Sequence, residues 1–268
     1  MKKTFLLLAL AAGLLMTAAP ALADGGFYVV AVGRGVGTKI TSLPMEINTP
    51  GFYYLTGNLS YSGASNGITI NSDDVTIDLM GFSLSGPGSS GSSYGIIMNN
   101  TGGYRRNVEV RNGTISGWNT AVDSILGDFN QRALNLRVVN CINGIMFRGY
   151  NGQIKGCTVF TTGSGTGITN GTGVTTGNTV SHCVYGIVGA GTISGNSVGD
   201  CTLYHISVTF GASSIIGNTI FTTGQFQTGI YISSSDPVLV TQNSVGGPGT
   251  PFHAGSKTVN VANTNAGF

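Results

Sequence analysis

Charge is scarce in this chain of 268 residues: Asp, Glu, Lys and Arg together make up 8%. Two of the twelve basic residues, Lys2 and Lys3, stand at the extreme N-terminus, and without them basic and acidic residues balance. A neutral, weakly charged chain lacks the positive surface that nucleic acid or an anionic membrane face demands, so neither is expected as a partner. Cysteine and histidine are also few, four and three. No CxxC pair and no Cys/His spacing of a zinc site occurs, and His182 beside Cys183 is an isolated neighbour pair; neither a metal nor a cofactor is expected. Long hydrophobic runs are missing too. The one apolar stretch, Phe5 to Met16, is shorter than the roughly 20 residues a membrane-spanning helix needs.

That stretch follows Lys2-Lys3 and leads to Ala21-Leu22-Ala23, the pattern of a secretory signal peptide with an A-x-A site. Residues 1–23 are therefore expected to be removed before Asp24, leaving an exported protein without a membrane span. The location is periplasmic, cell-surface or extracellular. Export favours disulfides by compartment.

What the chain does have is glycine, 44 residues, with 41% hydrophobic residues, enough to bury a core. The glycines fall in register with apolar residues. A G-I pair recurs at Gly67-Ile68, Gly95-Ile96, Gly144-Ile145, Gly167-Ile168, Gly186-Ile187 and Gly229-Ile230, with Ala121-Val122 and His205-Ile206 as variants. Its spacing of about 19 to 28 residues is that of a solenoid. Between these runs a second row: Gly177-Asn178-Thr179-Val180, Gly195-Asn196-Ser197-Val198, Gly217-Asn218-Thr219-Ile220 and Gln242-Asn243-Ser244-Val245, with Gly156-Cys157-Thr158-Val159 as a cysteine variant. Two residues before each corner stand Ile154, Thr175, Ile193, Ile215 and Val240.

Three short runs per repeat, each able to send alternate residues inward, predict an all-β fold: a single-stranded right-handed parallel β-helix, or solenoid, with three short strands per coil. Asn178, Asn196, Asn218 and Asn243 should stack as a structural ladder along one corner. Cys183 and Cys201 should be near-stacked on adjacent coils with parallel side chains, which favours buried free thiols over a bridge. Residues 24–60 lack the G-I register and are expected to cap the first coil, with Phe27, Tyr28, Phe52, Tyr53 and Tyr54 as apolar material. Coils are expected over 61–247 and a weaker cap over 248–268, with Phe252 and Phe268. Gly86–Gly91 is expected to project as an inserted loop.

The segments Thr49–Leu59, Val75–Phe82 and Val110–Gly117 resemble exported bacterial right-handed β-helix repeat proteins. That superfamily shares the pectate-lyase-like fold and includes polygalacturonases, pectate lyases, tailspikes and a periplasmic copper-maturation family. The resemblance covers nearly the whole mature chain but rests on coil-forming motifs, so it implies a fold and no single activity. In enzymes of this fold the working carboxylates project outward from one sheet. Here the outward row after the G-I positions reads Thr69, Ile97, Asp123, Met146, Thr169, Val188, Ser207, Tyr231 and holds one acid, whereas glycoside hydrolysis needs two.

Asp123 with Arg148, and Asp78 beside Arg111, are thus weak catalytic candidates that read better as ion pairs. Tyr94, Arg105, Arg106 and Trp118 form the candidate ligand site, since aromatic faces and guanidinium groups suit sugars and their carboxylates. The expected role is a non-catalytic element that binds a polysaccharide or cell-surface glycan, or serves in surface assembly; an oligomer is compatible with it. The second reading is a polysaccharide lyase or glycoside hydrolase.

Overall fold

The computed structural model describes residues 37–99, 101–254 and the strand Val259–Val261. The expected signal peptide, its cleavage before Asp24, and Phe27, Tyr28 and Phe268 lie outside the described residues. Those described form a parallel β-solenoid of about nine turns, with strands and no helix.

Each coil contributes to three sheets. On the first, Met45, Ile68, Ile96, Val122, Ile145, Ile168, Ile187, Ile206, Ile230 and Phe252 pair in one register from coil to coil. On the second run Tyr53, Ile77, Val110, Ala133, Ile154, Thr175, Ile193, Ile215 and Val240. The third carries Leu84, Ile115, Val138, Val159, Val180, Val198, Ile220 and Val245. Almost all of these are buried and together form one continuous apolar column. Full burial of each Ile or Val side chain is worth about 1.5 to 3 kcal/mol, and only the neighbouring coils make that burial complete.

The third sheet explains the glycine of the G-I pair. A Cβ on Gly144 would lie 2.6 Å from the Val159 side chain, and the same clash joins Gly167 to Val180, Gly186 to Val198 and Gly229 to Val245 at 2.3 to 2.6 Å. The two sequence rows are therefore two sides of one contact: the first sheet yields its side chain so that the third can place a valine. His205 breaks this rule and is fully buried. Its Nε2 accepts from the Cys201 amide at 3.5 Å and its Nδ1 lies 3.2 Å from the Thr228 carbonyl, partners that suit the neutral Nδ1–H tautomer. Burial pushes its pKa down.

The coils extend beyond both expected boundaries. Met45–Ile47, Gly51–Leu55 and Leu59–Ser60 pair with Ile68–Ile70, Val75–Asp78 and Ser83–Ser85, so residues 45–60 build a complete coil rather than a lid, and Thr38–Ile40 stacks on Gly51–Leu55 ahead of it. Met45-x-Ile47 and Tyr53-x-Leu55 alternate as later strands do, although no G-I pair announces them. At the other end Thr250–Ala254 and Val259–Val261 continue the first and second sheets past residue 247.

The structure places Asn178, Asn196, Asn218 and Asn243 in a buried ladder. The Oδ1 of Asn196 accepts from Asn178 Nδ2 at 2.9 Å and from the Asn178 amide at 3.0 Å, and the same pair of bonds joins Asn196 to Asn218 and Asn218 to Asn243. Each of Asn178, Asn196 and Asn218 also donates from Nδ2 to a main-chain carbonyl, of Ile154, Thr175 and Ile193 respectively. The residue before each asparagine takes φ between 58° and 63°, the left-handed corner that glycine or an amide residue tolerates. Cys183 and Cys201 are Cα partners on adjacent coils, buried and free. A hydrogen bond to Cys183 and burial push the Cys201 thiol up, away from the reactive thiolate.

Candidate glycan-binding groove

The sequence-derived candidates do not assemble into one site. Trp118 is 0% exposed. Its ring lies under the expected loop: Cβ atoms added to Gly67, Gly86 or Gly95 would touch it, Tyr61 stacks on it at 6.2 Å, and its Nε1 donates to the Leu84 carbonyl at 3.2 Å. A ring enclosed on all sides has no face for a sugar, and its place in the ligand-binding set is corrected: Trp118 is a core residue. Tyr94 opens a strand of the first sheet, beside Thr120. Arg105 spends its guanidinium on the carbonyls of Asn99 (2.6 Å) and Thr101 (2.9 Å), fastening its own loop. Arg106 is exposed at the corner leading into the second sheet, where its main chain bridges to Phe129.

Asp123 points outward from the first sheet yet is 2% exposed. Arg148 Nη2 stands 3.4 Å from its Oδ1, an ion-pair distance without hydrogen-bond geometry. Burial raises the Asp123 carboxyl to about 6 against the pull of Arg148, and the charge of Asp128 pushes in the same direction as burial. Asp128 is the second carboxylate that the outward row did not contain. Its charge acts on Asp123 from a turn outside the strand alternation, but both its oxygens are occupied, Oδ1 by the Arg105 amide (2.7 Å) and Oδ2 by the Ile125 amide (2.9 Å). Two buried carboxylates, one of them locked in a turn, do not flank an open bond-cleaving site. Asp78 is likewise engaged: Arg111 Nε reaches Oδ2 at 2.8 Å, and the Met80 amide donates to Oδ1 at 2.8 Å.

An open recess lies instead on the outer face of the second sheet, with a volume of about 610 Å³. Its floor is the outward row Thr76, Glu109, Arg132, Gln153, Val174, which pairs in register across five coils. One side is formed by Asn107, Asn130 and Asn151. All three occupy the left-handed corner, with φ of 54°, 56° and 55°. Asn107 Nδ2 donates to Asp74 Oδ1 at 2.7 Å and Asn130 Nδ2 to Asn107 Oδ1 at 3.1 Å, so Asp74, Asn107 and Asn130 are linked in file. Immediately before them in the chain come Arg106, Phe129 and Tyr150, joined by main-chain bridges. Phe129 and Tyr150 are 40% and 48% exposed, with ring centroids 5.6 Å apart and planes at 39°.

The floor is rigid. Arg132 Nη1 pairs with Glu109 Oε2 at 3.1 Å while its Nε donates to Gln153 Oε1 at 2.9 Å, and Arg111 Nη1 holds the other Glu109 oxygen at 2.8 Å. Such a surface presents side-chain amides, each a donor and an acceptor, around one ion pair that is already satisfied within the protein. The sequence did carry a signal for it. Asn107-x-Glu109, Asn130-x-Arg132 and Asn151-x-Gln153 repeat once per coil ahead of Val110, Ala133 and Ile154.

No family model matches the chain, and no curated protein matches it. Among solved structures, the enzymatically active domain of tailspike protein 2 from bacteriophage CBA120 is similar at 17% identity and a TM-score of 0.41. That likeness covers 79% of this chain and 38% of the tailspike chain, so this protein spans well under half of its length.

Proposed function

We propose that this is an exported, non-catalytic β-helix protein that binds a glycan at a cell surface through the groove on its second sheet. The observation that carries the reading is the groove itself: a file of asparagines, Asn107, Asn130 and Asn151, repeated once per coil beside the Glu109, Arg132 and Gln153 row, with the exposed rings of Phe129 and Tyr150 preceding Asn130 and Asn151 in the chain. Protein hydrogen-bonding groups held in place by their neighbours lose little entropy on meeting a polyhydroxylated chain, and an exposed ring pair adds apolar contact. The alternative, a polysaccharide lyase or hydrolase, finds less support. Asp123 is covered and Asp128 is tied to main-chain amides, whereas bond cleavage needs an acid and a base that reach the substrate.

The test is a glycan-array screen of the mature protein, run beside an assay for reducing ends and unsaturated uronates. Binding without release is expected, weakened by Gln153→Ala and unaffected by Asp123→Asn. Release of either product, abolished by Asp123→Asn, would replace this reading with the enzymatic one.

A further inference from the structure

Resting on the glycan-binding reading, we infer that the ligand is a neutral glycan chain lying along the solenoid axis. The groove has only two charged lining residues, Glu109 and Arg132, and they neutralise each other. Recognition of a carboxylate or sulfate calls for a guanidinium fork free to make paired bonds. Here each two-nitrogen edge of that fork already has one nitrogen committed, Nη1 to Glu109 and Nε to Gln153, while Arg111 occupies the remaining Glu109 oxygen. An acidic sugar would have to displace Glu109 from Arg132, or face that carboxylate at close range. Arg106 and Lys155, exposed cations to either side, lie outside the lining and offer only a salt-screened attraction.

The remaining lining suits uncharged hydroxyls. Each side-chain amide is both donor and acceptor, as each sugar hydroxyl is. The choice of residue at the corner points the same way. A left-handed corner is served by glycine at no steric cost, and the neighbouring corner of the same three coils changes from Asn112 and Asn135 to Gly156. At the groove the chain keeps Asn107, Asn130 and Asn151 in three successive coils. The exposed faces of Phe129 and Tyr150 fit the C–H face of a neutral pyranose. Orientation follows from the repeat: equivalent groups recur along the axis, and the four steps from Thr76 to Val174 span roughly 19 Å at about 4.8 Å each, the length of an oligosaccharide.

The experiment is calorimetric titration of the mature protein with a cello-oligosaccharide, a chito-oligosaccharide and an oligogalacturonate of equal length, at low and high salt. A neutral chain should bind with a salt-independent Kd. Asn130→Gly, which retains the left-handed backbone while deleting the amide, and Gln153→Ala should each weaken it about fivefold with the melting temperature unchanged. Preference for the oligogalacturonate, growing as salt is lowered and lost in Arg132→Gln, would overturn the neutral class while leaving the glycan reading standing. Absence of binding to all three would overturn the glycan reading and this inference with it.

Discussion

Asp123 should make the native state less stable as the solution becomes more alkaline, and Asp123→Asn should remove that dependence. The carboxyl is 2% exposed and raised from the ordinary 3.8 to about 6, chiefly by burial. Below 3.8 both folded and unfolded chains hold the proton and the residue contributes no pH dependence. Between 3.8 and about 6 the native state binds more protons than the unfolded one, so stability falls as pH rises; above about 6 the full penalty is present. At about 1.4 kcal/mol per unit, the penalty reaches roughly 3 kcal/mol as an upper bound. An asparagine matches the shape of the protonated acid and cannot ionise. Urea denaturation of both proteins from about pH 4 to about pH 8 should therefore show the difference in unfolding free energy moving toward the variant by up to that amount. A fixed offset from amide against carboxyl chemistry cancels in this comparison. A difference that stays flat across the range, or moves toward the wild type as pH rises, would refute the reasoning.

His205 acts with the opposite sign: its folded pKa is depressed by burial, so stability is intact above the unfolded value near 6.5 and declines as pH falls through it, a slope that His205→Gln should flatten in the same titrations. Asn196→Ala should cost roughly 1 to 3 kcal/mol, because it leaves the Asn178 amide and the Thr175 carbonyl without their partner; a melting temperature equal to wild type would count against the ladder. Cys183 and Cys201 should both take an alkylating label after denaturation without reductant, and a mass two protons short with neither labelled would contradict the free-thiol assignment.

The coil was legible because its marker has a steric cause. Gly144, Gly167, Gly186 and Gly229 face a valine of the third sheet too closely for a Cβ, so the G-I row and the G-N-x-V row keep step through the chain. The Asp78 and Arg111 neighbours could be aligned on paper for the same reason: both sit at one place in a repeating strand. The coil over 45–60 is not legible in the sequence because Met45–Ile47 carries the alternation without the glycine. Trp118 was misplaced because its cover comes from Gly67, Gly86 and Gly95 in separate segments, and from a loop whose path no alternation rule describes.

By itself the sequence determined the strand period, the corners, the inward rows and the scarcity of charge, all of which are local or additive properties. Beyond single pairs such as Asp78 and Arg111, only the tertiary structure decided which outward residues share a surface. Arg132 finds Glu109, 23 residues earlier in the chain, and Gln153, 21 residues later, because the lengths of the intervening turns bring the three to one height on adjacent coils. Side-chain alternation states which way a residue points; it does not state what the next coil will place beside it.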